Sequence, residues 1–430
     1  MRPYSDSDSN SQGRRAAANM SKKTAVIRTG LLVAALILAL FIPACRARVW
    51  RNLLRRPRFG PHTGVTIDTT QYYDDRKAAV IFTADDWSGD ETNHQAFLRT
   101  CKLARKYGVV VSPGLIPGLP GHTLPCIQDH QWDDIQSQID AGSVSPVSHS
   151  MTHPGKDHSY TDRTSYWMEV GGSKQTILGK LAFPQENWFN NLQYLAGWLE
   201  PYGKSDGQVK NMLRNCQYLV SRDTALGQFS WGSWDDTYSM YFCGLTTDLK
   251  SLSLVNGMFE QVLRRGGIYH FNIHPAKYDW PNDDTLERHL RHIGLREDVW
   301  YVGFGPAYMY RYVVEKVKPT IKIAKVTRHS IFIHVSIPVK ERNKYGLSYP
   351  ITYRVCLPDG WSSVLVYVRD AAQKDFVAMT TKTNKDLFNG IDAYRIKPDV
   401  RTVYVSKAFP KTSSDFFLKI EKPRSPTKRS

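Results

Sequence analysis

The chain has 430 residues, room for two or three folded units of about 100 to 200 residues each. With 41% hydrophobic and 23% charged residues its composition is that of an ordinary globular protein, which excludes a disordered polyelectrolyte. A formal net charge of +17 favours anionic surroundings, yet no zinc-finger, helix-turn-helix or RNA-binding signature accompanies it, so nucleic acid is not an expected partner. The aromatic content, 11 Trp, 23 Tyr and 17 Phe, suits a packed core and equally a carbohydrate site, because ring faces stack on sugars.

Residues 1–60 read as a polar Ser-rich tail, an apolar segment and a basic linker. From Gly30 to Ala44 there are 15 uncharged residues behind Lys22, Lys23 and Arg28, which resembles a secretory signal segment. A membrane span needs about 17 to 25 residues. Phe41-Ile42-Pro43-Ala44-Cys45 also resembles a bacterial lipoprotein box with Cys45 as the lipidated residue. The rival is an uncleaved anchor, and six Lys or Arg on either side leave its orientation open. Trp50, Leu53 and Leu54 share one helical face among six arginines, an arrangement suited to an anionic membrane surface. The expected location is therefore extracytoplasmic and membrane-attached, at a bacterial cell envelope. The other cysteines, Cys101, Cys126, Cys216, Cys243 and Cys356, show no CxxC or zinc-ribbon spacing and read as small buried hydrophobes.

Residues 65–316 alternate short apolar runs with helix-like stretches. Strands are expected at Ala78 to Phe82, Gly108 to Val111, Ser145 to Ser148, Tyr194 to Leu199, Gln217 to Ser221, Ile268 to Ile273 and Trp300 to Phe304. Helices are expected at His94 to Tyr107, Trp132 to Ile139, Tyr166 to Leu181 and Leu252 to Arg265, with a last one ending at Tyr312. Such βα alternation predicts parallel strands with helices outside, as an open sheet or a barrel. In a barrel the chemistry gathers at the carboxyl ends of the strands. From Pro319 the period changes to two: Ile331, Ile333, Val335 and Ile337 alternate with other residues, as do Tyr353, Val355 and Leu357, the signature of a small β-sandwich over 319–412. Residues 413–430 read as a basic tail.

Three polar groups fall just after apolar runs: Asp85-Asp86 in TADDW, His149 and His153 in SHSMTHP, and His274 in YHFNIHP. An adjacent Asp pair alone is usually a turn or helix cap, and an HxxxH pair, which places two imidazoles on one face of a helical turn, is often incidental. Their conjunction at strand ends is more specific. Two His and one carboxylate form an ordinary divalent-metal site with open positions for water and substrate. One aspartate can bind the metal while the other acts as general base, and a separate His can supply the acid.

In order, Asp-Asp, HSxxH, Pro-Tyr-Gly and a late His over residues 76 to 312 resemble the polysaccharide deacetylase family, carbohydrate esterases built on an irregular (β/α) barrel. Thr83-Ala84-Asp85-Asp86-Trp87 is similar to the family's TFDDG, with Ala for Phe and Trp for Gly; His149-Ser150-Met151-Thr152-His153 matches its H-[ST]-x-x-H. The resemblance implies that Asp85 is the catalytic base, that Asp86, His149 and His153 hold zinc or a similar divalent ion, and that His274 is the general acid. Where the family carries RPPYG, this chain has Leu199-Glu200-Pro201-Tyr202-Gly203. The Tyr202 N–H keeps its expected role on the oxyanion. The arginine that orients the base is absent at Leu199, and Arg222 is a candidate substitute.

Trp87 is expected to narrow the cleft or stack on sugar. Trp231 and Trp234, beside Asp235-Asp236, form a candidate sugar platform against the plainer reading of a surface turn. The expectation is a metal-dependent hydrolase that removes acetyl groups from an N- or O-acetylated polysaccharide. The alternatives are a catalytically impaired glycan-binding envelope protein, for which the missing arginine speaks, and a metal hydrolase of a small acylated molecule.

Overall fold

The computed structural model describes residues 64–154, 163–184, 188–189, 192–203, 206–222, 241–243, 247–248, 251–340, 349–381, 392–397, 400–410 and 413–423. The apolar segment, Cys45, the basic linker, Trp231, Trp234 and Asp235-Asp236 lie outside them. Among the described residues no helix is long and apolar enough to cross a membrane.

Among the described residues nine parallel strands form one sheet. Its path runs Thr247–Asp248, Ile268–Ile273, Ala78–Trp87, Val111–Leu115, Val147–Ser148, Gly197–Leu199, Val220–Arg222, Tyr241–Cys243, and Val299–Tyr301 pairs beside the start of Ala78–Trp87. Side chains alternate across the pleat. Ala79 and Ile81 face an interior cluster with Trp300 and Phe304, whereas Val80, Phe82 and Ala84 share an outer cluster with Phe97, Cys101, Leu286 and Leu290 of the helices Glu91–Lys106 and Thr285–Ile293.

The sheet is strongly curled. Flat, the four strand steps from Ala78–Trp87 to Val220–Arg222 would span about 19 Å, yet Arg222 Nη1 lies 2.8 Å from Asp85 Oδ1. The two ends of the path, Cys243 and Thr247, are four Cα steps apart, at most about 15 Å of chain. Curling is also how a sheet buried on both faces encloses its inner side chains. The alternation thus gives an α/β unit with a barrel-like parallel sheet and helices outside, followed by antiparallel sheets.

Among the described residues the C-terminal part is a sandwich of two five-stranded sheets. One runs Thr66–Thr69, Ile351–Cys356, Thr402–Lys407, Ala393–Lys397, Thr380–Thr381; the other runs Thr320–Val326, Ser330–Ser336, Asp415–Glu421, Leu365–Asp370, Val377–Ala378. Ile331, Ile333, Val335, Phe416, Leu418 and Ile420 from the second sheet meet Tyr353, Val355, Val403 and Val405 from the first.

Two expected boundaries move. Thr66–Thr69, assigned from sequence to the barrel, pairs antiparallel with Ile351–Cys356 in the sandwich. Asp415–Glu421, taken for basic tail, is a central strand between Ser330–Ser336 and Leu365–Asp370. Neither could be read locally, because TIDT carries no apolar run and its partner lies over 280 residues away. The sandwich is not a separate body: Trp300, Tyr308, Tyr310 and Tyr312 of the α/β unit lie in the same apolar cluster as Tyr349, Tyr353 and Phe416.

Candidate active site

Two adjacent strand residues ordinarily point to opposite faces. At the end of Ala78–Trp87 the register with Val111–Leu115 shifts between Ala84 and Trp87, and Asp86 adopts φ 77. This bulge-like irregularity turns both carboxylates to the same rim. The turn is clamped by the following helix: Asp90 caps it by accepting from the Asn93 N–H, and Asn93 Nδ2 donates to the Asp86 carbonyl at 2.7 Å.

The HSMTH segment follows Val147–Ser148 and is not a helical turn. Ser150 has φ 72 and His153 φ 54, so the loop doubles back and brings the two imidazoles to one point, with ring centroids 5.0 Å apart. The buried Glu169 holds it: its carboxylate accepts from the N–H groups of Met151 and Thr152, each at 2.9 Å, and from the Thr152 hydroxyl at 2.5 Å. His149 is placed by its Nδ1–H, which donates to the Leu199 carbonyl at 2.8 Å, leaving Nε2 free to ligate. Gly114 is required beneath it, since a Cβ there would meet His149 Cβ at 2.9 Å.

Asp86 Oδ1 lies 3.2 Å from His149 Nε2 and 3.3 Å from His153 Nε2. One ligand atom from each of the three residues lies within 4.8 Å of the others. Three electron-pair donors converge stably only around positive charge. A proton on His149 can supply it: burial pushes this imidazole down, but the bond to Asp86 and the charges of Asp85 and Asp86 outweigh that and raise it. A divalent cation also fits, because two imidazoles and one carboxylate are an ordinary donor set for one. Burial and the neighbouring His149 push His153 down to about 4, keeping it neutral and able to donate an electron pair.

Asp85 is handled separately. Arg222, at the end of Val220–Arg222 and 1% exposed, grips it with two bonds, Nη1 to Oδ1 at 2.8 Å and Nη2 to Oδ2 at 2.5 Å. Asn272 Nδ2 adds a third donor at 3.2 Å, and Thr83, two residues upstream on the same face, accepts from Arg222 and donates to Asn272 Oδ1. Burial raises the Asp85 carboxyl, but Arg222 and His149 prevail and hold it below its ordinary range. The position vacated at Leu199 is therefore covered from the next strand.

His274 follows Ile268–Ile273, with Nε2 4.0 Å from Asp85 Oδ2 and 3.8 Å from Asp86 Oδ2, and is 39% exposed at its side chain. Burial lowers its pKa against the pull of the two aspartates. Tyr202 has φ 55 and packs its ring 4.7 Å from that of His153. The rim thus gathers Asp85, Asp86, His149, His153, Tyr202 and His274. Asn272, Glu169 and Lys277, whose Nζ is 3.8 Å from Asp86 Oδ2, were not singled out from sequence. Only Asn272 left a usable signal, two residues before His274 on one strand face.

Trp87 does not belong to this rim. It is fully buried, stacks on Phe97 at 4.6 Å and donates its indole N–H to His94 Nδ1 at 3.1 Å. The residue after the bulge returns to the outer face, so Trp87 anchors the helix Glu91–Lys106 and neither narrows a cleft nor offers a face to sugar.

No family model matches the sequence, and a search of curated proteins gave no match. Among solved structures, a Mycobacterium smegmatis protein assigned as a polysaccharide deacetylase is 11% identical, with 60% of this chain and 98% of that chain covered and a TM-score of 0.40. A family 4 carbohydrate esterase from Streptomyces lividans, solved with acetate, is 15% identical, with 51% and 86% covered and a TM-score of 0.31. A Bordetella bronchiseptica protein, assigned as a polysaccharide deacetylase involved in O-antigen biosynthesis, is 12% identical, with 51% and 85% covered and a TM-score of 0.31. Likeness of this order does not say which bond is broken; that depends on the side chains at the rim.

Proposed function

We propose that the protein is a metal-dependent hydrolase that removes acetyl groups from an N- or O-acetylated polysaccharide. The observation that carries the reading is the division of labour between adjacent carboxylates: Asp86 faces His149 and His153, while Asp85 is held ionised by Arg222. A divalent cation, zinc by expectation, bound by Asp86, His149 and His153 would polarise the acetyl carbonyl and the attacking water. Asp85 takes the proton of that water, and the bidentate Arg222 fixes the oxygen that accepts it. His274, 4.0 Å from Asp85, passes a proton to the departing amine or alcohol. The Tyr202 N–H, displayed on a left-handed turn, is assigned to the developing oxyanion.

The non-catalytic alternative drew on the missing arginine at Leu199, and Arg222 removes that motive. A small acylated molecule stays as a competing substrate. Acetate release from acetylated glycan polymers and from their monomers, with metal content measured in parallel, tests the reading. Loss in Asp85→Asn and in His149→Ala is expected, with metal lost only in the second; undiminished release in both would overturn the assignment.

The membrane attachment is a further proposal, resting on the sequence of residues 20–58: the chain is held at the outer side of a bacterial membrane by a lipid on Cys45 or by the apolar segment. Mass analysis of the mature N terminus separates the two, and an intact residue 1 or 20 excludes the lipoprotein form.

A further inference from the structure

An ionised carboxylate offers about four lone pairs, two on each oxygen, and can only accept hydrogen bonds. Arg222 uses one on each oxygen of Asp85, Nη1 to Oδ1 at 2.8 Å and Nη2 to Oδ2 at 2.5 Å. This grip orients the plane of the carboxylate and leaves its two oxygens equivalent. Asn272 breaks the equivalence. Its Nδ2 donates to Oδ2 at 3.2 Å and fills that oxygen, whereas among the described residues Oδ1 accepts from Arg222 alone.

The direction of the Asn272 amide is fixed by what surrounds it. Asn272 is 4% exposed and lies beside Thr83 in the parallel pairing of Ile268–Ile273 with Ala78–Trp87. Asp85 only accepts, so the NH2 side of the amide faces it and Oδ1 faces Thr83. The Thr83 hydroxyl donates to Asn272 Oδ1 at 3.1 Å, and its two lone pairs accept from Arg222 Nη1 at 3.0 Å and from His270 Nε2 at 3.1 Å. One proton and two lone pairs are thereby all used, and every donor in this buried set points towards Asp85.

We infer that Asn272 is a positioning residue for the hydrolysis: it leaves Asp85 Oδ1 as the oxygen with a free lone pair, so that the proton of the attacking water goes to Oδ1. This deepens the hydrolase reading and rests on it. The water O–H bond breaks as Oδ1 gains the proton, and the water oxygen adds to the acetyl carbon. A single acceptor holds the water in one place instead of spreading it over two. The same donation denies Oδ2 to His274, whose Nε2 stands 4.0 Å from it, so base and acid are not tied up in one hydrogen bond.

The test measures acetate-release kinetics, metal content and denaturant unfolding on Asn272→Leu, which keeps the branching and removes the donor, and on Asn272→Ser, whose hydroxyl can donate through a water. Asn272→Leu is expected to lower kcat about ten- to hundredfold, the range for a lost bond to a charged group, with KM and metal content unchanged. Asn272→Ser should recover part of that loss. If Asn272→Leu does not fold, Asn272→Ser carries the comparison with a several-fold loss of kcat. A packing role would lower activity only through the folded fraction, so a wild-type kcat per folded, metal-loaded molecule in both variants would overturn the inference. Side-chain amide NMR of the substrate-free protein gives a readout without turnover. Wild type should show one strongly shifted, exchange-protected amide proton that disappears in Asn272→Ser, and its absence would also overturn the inference. No acetate release by wild type would remove the hydrolase reading and this one together; release by wild type and both variants at equal kcat would remove the role of Asn272 alone.

Discussion

Asp85 and Arg222 form the pair on which the site turns, and both are buried. Removing one partner of such a pair leaves an uncompensated charge at a cost of about 3–5 kcal/mol. Arg222→Met should therefore lower stability by that order in denaturant unfolding, and acetate release should fall about a hundredfold or more. Arg222→Lys restores charge without the fork and should recover stability more than rate. Trp87 gives the opposite expectation. As core it should cost about 3–5 kcal/mol when cut to Ala, while Trp87→Phe, which keeps most of the ring and loses the bond to His94, should leave KM for the glycan unchanged; a raised KM in the folded Phe variant would return Trp87 to the cleft. The sequence made the acids, the histidines and the late His274 legible because each sits at the end of an apolar run. It could not decide Trp87, because the bulge at Asp86 sets which face the next residue takes.

The loop and helix elements carry the next level. Three bonds to Glu169 stabilise the 149–153 loop in a conformation that contains two left-handed residues. Glu169→Ala is expected to weaken metal affinity about 10- to 100-fold by competition with a chelator, and Glu169→Gln, which keeps acceptor capacity, less so. The helix Thr285–Ile293 supplies a pH-dependent term remote from the rim. Tyr269 donates its hydroxyl to His289 Nε2, whose Nδ1–H donates to Asn256, so the neutral ring is fully satisfied. Burial pushes this imidazole down to about 3. Between about pH 6.5 and 3 the unfolded chain binds a proton that the folded one does not, so stability is fully present above 6.5 and falls as pH drops, by up to about 1.4 kcal/mol per unit. His289→Gln should flatten that part of the stability–pH curve, measured by denaturant unfolding; an unchanged slope would show that His289 titrates normally. The longer helices, such as Glu91–Lys106 and Leu252–Arg265, followed from periodicity over many residues, whereas the short helices Gly207–Asn215 and Thr285–Ile293 were not expected from the sequence. The loop did not follow either, because HxxxH spacing is shared by helices and by chains that double back.

At the scale of the whole molecule, the sandwich and the α/β unit share one apolar cluster. Deletion from residue 413 removes a strand paired on both sides and exposes Ile331, Ile333, Val335 and Val366. This truncation is expected to abolish cooperative unfolding or soluble expression, and a fully stable product would mean that Asp415–Glu421 is dispensable. What the sequence by itself determined is the class of fold and the donor types at the rim, because the βα period and the placement of polar groups after apolar runs are local properties of the chain. Tertiary structure alone decided the membership of Thr66–Thr69 and Asp415–Glu421, the outward burial of Trp87, and the supply of Arg222 to Asp85. Each depends on pairing or curvature between segments far apart in the chain: a sheet curled through four strand steps puts Arg222 on Asp85, and no spacing along the chain encodes that distance.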